Sequence, residues 1–170
     1  MLPAQHQQFS GQISQHLTQH PWWASAPQVF TYVSIQGEPD LEPLRAQYPE
    51  KIWGLPRRRG QALTWHRWQV GTPLTQGTLP EPLPDALVLT PQPGDLLLMP
   101  ALAYDQRGYR LGYGAGYFDR LLAQPEWQAV YRVGIIFQEF LLPVLPREPW
   151  DQAVQAVCTE QGWWTITPPG

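Results

Sequence analysis

The chain is expected to fold as an α/β protein, a single three-layer domain with a central, mostly parallel or mixed sheet flanked by helices. Three observations predict it. Short runs rich in β-branched, aromatic and aliphatic residues recur along the sequence: VFTYVSI over 29–35, DLLLMP over 95–100 and YRVGIIF over 131–137. Amphipathic stretches of helical spacing lie between them, and Gly and Pro punctuate the connections. The 20 prolines and 14 glycines are spread along the 170 residues with no linker and no internal repeat, so one domain over 1–170 is expected.

Element by element, Phe9, Ile13 and Leu17 stand at four-residue spacing and predict a short helix ended by Pro21. Residues 29–35 read as a buried strand. Pro39, with Asp40 and Glu42 suited to the positive end of a helix dipole, opens a helix over 39–48. A strand over 51–55 is expected to end at Pro56, and 62–70 (ALTWHRWQV) alternates as another strand. Residues 71–84 read as a loop. Apolar runs at 86–89 and 95–99 follow, the second a fully buried strand leading into a long glycine-rich connection. A helix is expected over 117–122, a buried strand over 131–137, a short helical or extended segment near Val154 and a last strand over 163–167.

Eleven Lys and Arg against 14 Asp and Glu give a net charge of −3, which supports no general grip on nucleic acid or anionic lipid. The single Cys158 precludes an internal disulfide and a cysteine-rich zinc site, and it reads as a buried structural thiol. No apolar run suits a membrane span, and no basic region precedes an apolar stretch at the N-terminus. A cytoplasmic monomer with small-molecule partners, no nucleic acid and no membrane is expected. Lys51 is the only lysine, and no Lys or Arg precedes Arg45, whereas His6, His16 and His20 all lie in that opening. With no acidic or Cys neighbour, these histidines read as solvated.

The chemistry concentrates in 99–122, MPALAYDQRGYRLGYGAGYFDRLL. Gly108, Gly112, Gly114 and Gly116 leave a backbone nearly free of Cβ atoms between a buried strand and a helix start. Such a loop can turn successive N–H groups onto an anion, with phosphate the natural guest. Arg107, Arg110 and Arg120 offer charge-assisted hydrogen bonds, while Asp105 and Asp119 offer hard oxygens to a nucleotide-borne magnesium ion. The spacing is neither a dinucleotide fingerprint nor a P-loop. A glycine-rich surface loop with tyrosines packed over it is the plain structural alternative. Trp65 and Trp68, three apart on a strand, face opposite sides, so at most one lines a ligand pocket.

The run from Arg110 to Arg120 (RLGYGAGYFDR), within Met99 to Leu122, resembles the signature of the 5-formyltetrahydrofolate cyclo-ligase family, also called 5,10-methenyltetrahydrofolate synthetases. Supporting pieces fall in the family's order: Tyr32 to Glu38, Leu55-Pro56-Arg57, Val133 to Phe137, and Pro149-Trp150-Asp151 leading to Thr159-Glu160. The resemblance runs from about Val29 to Glu160. It implies ATP- and Mg2+-dependent cyclisation of 5-formyltetrahydrofolate to 5,10-methenyltetrahydrofolate with release of ADP and phosphate, through phosphorylation of the formyl oxygen. Catalysis is then positioning and charge neutralisation. By the resemblance, ATP is held by Arg110, Leu111, Gly112, Tyr113, Gly114, Ala115, Gly116, Tyr117 and Phe118. The folate meets Glu38, Arg57 and the loop from Tyr113 to Tyr117; Arg110 and Tyr117 are catalytic; Asp119 and Asp151 hold the magnesium.

Three departures from the family pattern stand out. The usual N-terminal helix carries Lys and Leu-Arg residues that reach the ATP phosphates, and residues 1–27 here read as a shortened or atypical segment with activity retained. Ala115 replaces a common glycine or basic residue, and Trp150 replaces a common histidine. Two other readings stay open: a non-catalytic folate- or nucleotide-binding protein on the same scaffold, and an unrelated nucleotide-binding α/β domain.

Overall fold

The computed structural model describes residues 1–35 and 37–167. Its strands are β1 (Gln28–Phe30), β2 (Ile52–Arg59), β3 (Ala62–Trp68), β4 (Val88–Leu89), β5 (Leu96–Pro100), β6 (Ala103–Asp105), β7 (Arg110–Leu111), β8 (Tyr131–Ile135), β9 (Leu141–Leu142), β10 (Ala156–Thr159) and β11 (Gly162–Thr165). The helices are α1 (Pro3–Thr18), α2 (Pro21–Ser25), α3 (Glu42–Gln47) and α4 (Tyr117–Leu122). Eight strands make one mixed sheet in the order β11-β10-β8-β5-β1-β2-β3-β4. The five from β10 to β2 are parallel, β11 and β3 flank them antiparallel, and β4 pairs antiparallel with β3 at the outer edge. The expected α/β class with helices on both faces is therefore observed.

Strand alternation builds the layers. Leu96 and Leu98 face a core shared with Ile13 and Leu17 of α1, Trp23 of α2 and Leu44 of α3. Leu97 and Met99 face the opposite core, shared with Leu121 and Leu122 of α4 and with Trp127. Trp68 falls into the first of these cores and Trp65 into the second, as their spacing requires. From β1 the chain steps outward to β2, β3 and β4, then returns to place β5 on the other side of β1. That reversal creates a crevice between the C-terminal ends of β1 and β5, the position where open α/β sheets bind ligands.

The boundaries shift where tertiary contacts override local pattern. The strand expected over 29–35 stops at Phe30, because Tyr32 Oη and Ser34 Oγ donate to the carbonyls of Pro39 and Glu38 at 2.7 Å each and fold the segment back. α3 starts at Glu42, whose amide is taken by Asp40 Oδ1 at 3.0 Å. α1 begins at Pro3, where a missing N–H is harmless, and is longer than expected. Pro56 does not end its strand: pairing with β1 stops at Gly54, so beyond it β2 has a neighbour on one side only and tolerates an absent donor. The extended segment expected near Val154 is realised as β10, just beyond it.

The histidines read as solvated are instead tethers for the N-terminal segment. His6 Nε2 bonds the Glu38 carbonyl at 2.8 Å, His16 Nε2 the Glu160 carbonyl at 3.2 Å, and His20 stacks on Trp163 with centroids 3.7 Å apart. Lys51 Nζ donates to the carbonyls of Trp23 and Ala26, closing the end of α2. Cys158 is buried, and its burial pushes the thiol well up from its ordinary range.

A second, three-stranded sheet, β7-β6-β9, lies inside what the sequence reads as loops. It docks because Gly134 of β8 has no side chain: a Cβ there would meet Tyr104 Cζ at 2.5 Å. Asp105 ties the sheet together. Oδ1 accepts the amides of Arg107 and Tyr109 at 2.9 and 3.1 Å, and Oδ2 accepts the Leu145 amide at 2.9 Å and the Arg107 guanidinium at 3.0 Å. Both oxygens are therefore engaged, and Asp105 is not the free metal ligand that its type suggests. Burial opposes its ionisation, but the amides of Leu145 and Tyr109 and the contacts to Arg107 outweigh burial and hold the carboxyl below its ordinary range.

Two stability outcomes are expected. Gly134→Ala should cost about 1–3 kcal/mol in urea unfolding, since Tyr104 has to move. Asp105→Asn should cost about 2–3 kcal/mol near neutral pH. With a native pKa below the unfolded one, the native state binds fewer protons, so this contribution is complete above about pH 4 and is lost as pH falls through the lowered native value. The gap between wild type and Asp105→Asn should narrow on acidification.

Candidate functional site

A cavity of about 330 Å³ opens at the β1/β5 crevice. Its walls come from four segments. Tyr32, Val33, Ile35 and Glu38 follow β1; Pro56, Arg58 and Leu63 come from β2 and β3; Leu79, Pro80 and Glu81 come from the loop after β3; Pro100, Arg110, Tyr113 and Ala115 to Phe118 come from the glycine segment. The lining is mostly aromatic, aliphatic and proline, with two carboxylates and two guanidiniums, the composition of a site that seats a flat organic molecule and orients it by a few polar groups. The connections after β5 and β8 meet as β6 against β9, away from this cavity.

Glu38 is the buried carboxylate, 7% exposed. Its Oε1 accepts the Ile35 amide at 2.9 Å and its Oε2 accepts the Tyr113 hydroxyl at 3.0 Å. Burial raises its pKa from the ordinary value, opposed by the Ile35 amide, the Tyr113 hydroxyl and the Arg110 charge. Burial and the neighbouring carboxylate push Tyr113 up to about 12, so it remains a donor at neutral pH. The backbone around Glu38 is fixed from several directions. Ser34 and His6 share its carbonyl, and the buried Arg45 donates to the Tyr32 carbonyl at 3.1 Å while lying over Trp68.

The glycine loop is built around two folded-back arginines. Arg110 donates Nη2 to the Pro100 carbonyl at 3.0 Å and lies over Phe118 at 4.9 Å, and its buried Nε has no partner among the described residues. A Cβ on Gly112 would come within 2.9 Å of Arg110 Nη1, and one on Gly116 within 2.9 Å of Arg120 Nη1. Gly114 and Gly116 take φ of +94° and +72°, conformations that side chains disfavour, and Gly114 faces open space. Arg120 Nε and Tyr117 Oη bond the carbonyls of Gln61 and Gly60 at 2.7 and 3.2 Å, clamping the loop to the β2–β3 hairpin.

The structure brings Glu38, Arg110, Tyr113, Ala115, Gly116, Tyr117 and Phe118 onto one cavity. Leu111, Gly112, Gly114, Arg57, Asp119 and Asp151 do not line it. Arg57 Nη1 donates to the Pro82 carbonyl at 3.0 Å. Asp119 lies in the first turn of α4, three residues after Gly116. Asp151 Oδ2 accepts the Glu148 amide at 2.7 Å, which closes a turn. Gln36, within the motif from Tyr32 to Glu38, lies outside the described residues. Among the described residues no three His, Cys, Asp or Glu gather into a metal-binding group. Sequence reasoning missed Arg58 and Glu81; the strand register that separates Arg58 from Arg57 was the missing signal.

A sequence model described as the 5-formyltetrahydrofolate cyclo-ligase family matches residues 1–160. The chain belongs to that family. A 5-formyltetrahydrofolate cyclo-ligase of Escherichia coli is 28% identical over 177 aligned residues, covering 96% of this chain and 94% of the relative. One of Mycolicibacterium smegmatis is 37% identical over 99 residues, 57% of this chain and 50% of the relative. The NMR structure of Aquifex aeolicus 5,10-methenyltetrahydrofolate synthetase superposes with a TM-score of 0.85 at 28% identity, over 100% of this chain and 87% of that one. A Mycoplasma pneumoniae synthetase shares the fold, with a TM-score of 0.74 at 17% identity over 94% and 90% of the two chains. The chain is thus a cyclo-ligase-family enzyme acting in folate metabolism, which sets aside the non-catalytic and unrelated-domain alternatives. No described helix is long and apolar enough to cross a membrane.

Because the native pKa of Glu38 lies above its unfolded value, the native state binds more protons in the window between the two, and stability falls as pH rises through it. Glu38→Gln is therefore expected to raise the melting temperature at neutral pH by roughly 1–4 °C. That gain should vanish as pH falls below the unfolded glutamate value of about 4.3. Thermal melts across pH check both parts.

Proposed function

We propose that the cavity binds 5-formyltetrahydrofolate and that the chain closes it to 5,10-methenyltetrahydrofolate with consumption of ATP in the presence of Mg2+, releasing ADP and phosphate. The observation that carries this reading is the buried Glu38 carboxylate, set beside apolar walls that open onto the Arg110–Phe118 loop. A reduced pterin presents an amino group and a ring N–H as adjacent donors, which a fixed carboxylate matches, and its ring and benzoyl group suit the aromatic and proline walls. Tyr113 keeps Glu38 oriented before substrate enters. Membership of the cyclo-ligase family implies a nucleotide co-substrate.

A formamide oxygen is a poor leaving group, so the reaction needs activation. In this reading the formyl oxygen attacks the γ-phosphorus and ADP leaves. N10 then attacks the formyl carbon, the carbon–oxygen bond breaks with release of phosphate, and N10 gives up its proton as the ring closes. The chain contributes position and charge. In this reading Gly112, Gly114 and Gly116 let the backbone approach phosphate oxygens, and Arg110, which lines the cavity, offsets the negative charge that develops. Tyr117 holds the loop against the β2–β3 hairpin and lines the cavity beside Arg110.

The donor set fits a magnesium ion carried mainly by phosphates and water, since such sites need only one or two protein carboxylates. Asp119 suits that part, because its carboxylate takes no hydrogen bond from the described residues and follows the glycine loop directly. Asp151 would offer only the oxygen left over from its turn. Bound there, the ion would neutralise phosphate charge during transfer.

Formation of the methenyl product, followed by near-UV absorbance, should require folinate, ATP and magnesium together. Omission of ATP without loss of signal would sink this reading. Asp119→Ala should lower ATP-dependent turnover by at least about 100-fold with an unchanged unfolding transition. Normal turnover by that variant would remove Asp119 from the metal site.

A further inference from the structure

The mouth of the cavity carries a charged pair separate from Glu38 and Arg110. Arg58, near the end of β2, donates Nε to Glu81 Oε2 at 3.0 Å, and the same oxygen accepts the Arg58 amide at 2.7 Å. Glu81 is itself fixed: its amide donates to Thr75 Oγ1 at 3.0 Å, and its carbonyl accepts the Thr75 amide at 2.8 Å. This grip uses only the Nε edge of the guanidinium. Its terminal Nη1 and Nη2 groups have no acceptor among the described residues. The Arg58 side chain is 44% exposed and that of Glu81 17%, which places the pair at the rim. Arg110 lies deeper, beside Glu38 and the glycine loop, and Arg57 is bound to the Pro82 carbonyl, so Arg58 is the rim cation of the cavity.

We infer that Arg58, oriented by Glu81, receives the carboxylates of the substrate's glutamyl tail. This rests on the folate reading of the cavity. A volume of about 330 Å³ lies at the small end for organic ligands, so a pterin and benzoyl group fill it and the anionic end emerges at the mouth. There a guanidinium already locked in one plane meets a carboxylate through two parallel N–H groups. Leu79 and Pro80, beside Glu81, offer apolar cover for the linking methylenes. The resemblance points to Arg57 as a folate contact, but strand register turns Arg57 away and Arg58 onto the cavity.

The test compares 5-formyltetrahydrofolate with 5-formyltetrahydropteroate, which lacks the glutamate, in wild type and Arg58→Met. The variant should lose about 10–100-fold in kcat/KM for the glutamylated substrate, mainly through KM. Its loss on the pteroate should stay within about 2-fold. Glu81→Ala should raise KM for the glutamylated substrate alone, and Glu81→Gln, which keeps an acceptor for Nε, should restore most of the loss. Equal losses on both substrates, or none on the glutamylated one, would overturn the assignment. Tryptophan quenching without ATP separates the two levels: wild type binding both compounds equally overturns the tail receptor alone, and wild type binding neither overturns the folate reading with it.

Discussion

β1 is three residues long and carries ladders on both sides, to β2 and to β5. Val29 and Phe30 are wholly buried, one in each core. Because the sheet grows in opposite directions from this strand, the chain leaving it cannot continue beside either neighbour without departing from the sheet. β2 and β5 run on past its end, through Arg59 and Pro100. The shortfall leaves a step in the sheet, and the cavity is that step roofed by the chain after β1 and by the glycine segment. The brevity of β1 is thus what makes a binding crevice in an otherwise closed pair of cores.

A step of this kind exposes backbone, and the segment from Tyr32 to Pro39 satisfies it locally. Tyr32 and Ser34 reach forward to the Pro39 and Glu38 carbonyls, while Arg45 reaches the Tyr32 carbonyl from α3 and His6 the Glu38 carbonyl from α1. Such a network leaves the Glu38 carboxylate with little freedom. Its burial is unfavourable to the charged form, and two hydrogen bonds and the Arg110 charge offset that only in part. Burial of a carboxylate at the cavity wall is the usual conflict between stability and function at a site.

The glycine loop solves a different problem, concentrating positive charge in a chain whose net charge is −3. The absence of Cβ atoms at Gly112 and Gly116 lets the guanidiniums of Arg110 and Arg120 fold back against the loop, where Phe118 and Tyr117 lie beneath them. The cations are therefore held by aromatic faces and backbone carbonyls, with no ion pair to a carboxylate among the described residues. Their charge stays available to an incoming anion. This arrangement concentrates the local cation supply in the loop, although the segment before Arg45 contains no Lys or Arg.

Much of this was legible in the residues. The alternation of Leu96 to Met99, the helix at 117–122, the cavity face of Tyr113 and Glu38 and the opposed Trp65 and Trp68 follow from periods of two and 3.6, or from a motif contiguous in the chain. Periodicity and motif act over a few residues, so sequence alone determines them. What tertiary structure decided depends on partners far apart in the chain. The His6 bond to Glu38 spans 32 residues and the Tyr113 bond to Glu38 spans 75. Asp105 became a structural tie rather than a metal ligand because Leu145, 40 residues away, docks on it. Arg58, rather than Arg57, faces the cavity because the pairing of β2 with β3 sets which side each residue takes, and a one-residue change in register would exchange them. The sequence by itself determined where the main-sheet strands and the helix over 117–122 lie, since those preferences are local, whereas the small β7-β6-β9 sheet and the early end of β1 came from tertiary contacts. The identity of the groups that meet in the crevice was decided by packing, since only close-packing of distant segments fixes which polar atoms are left without a protein partner.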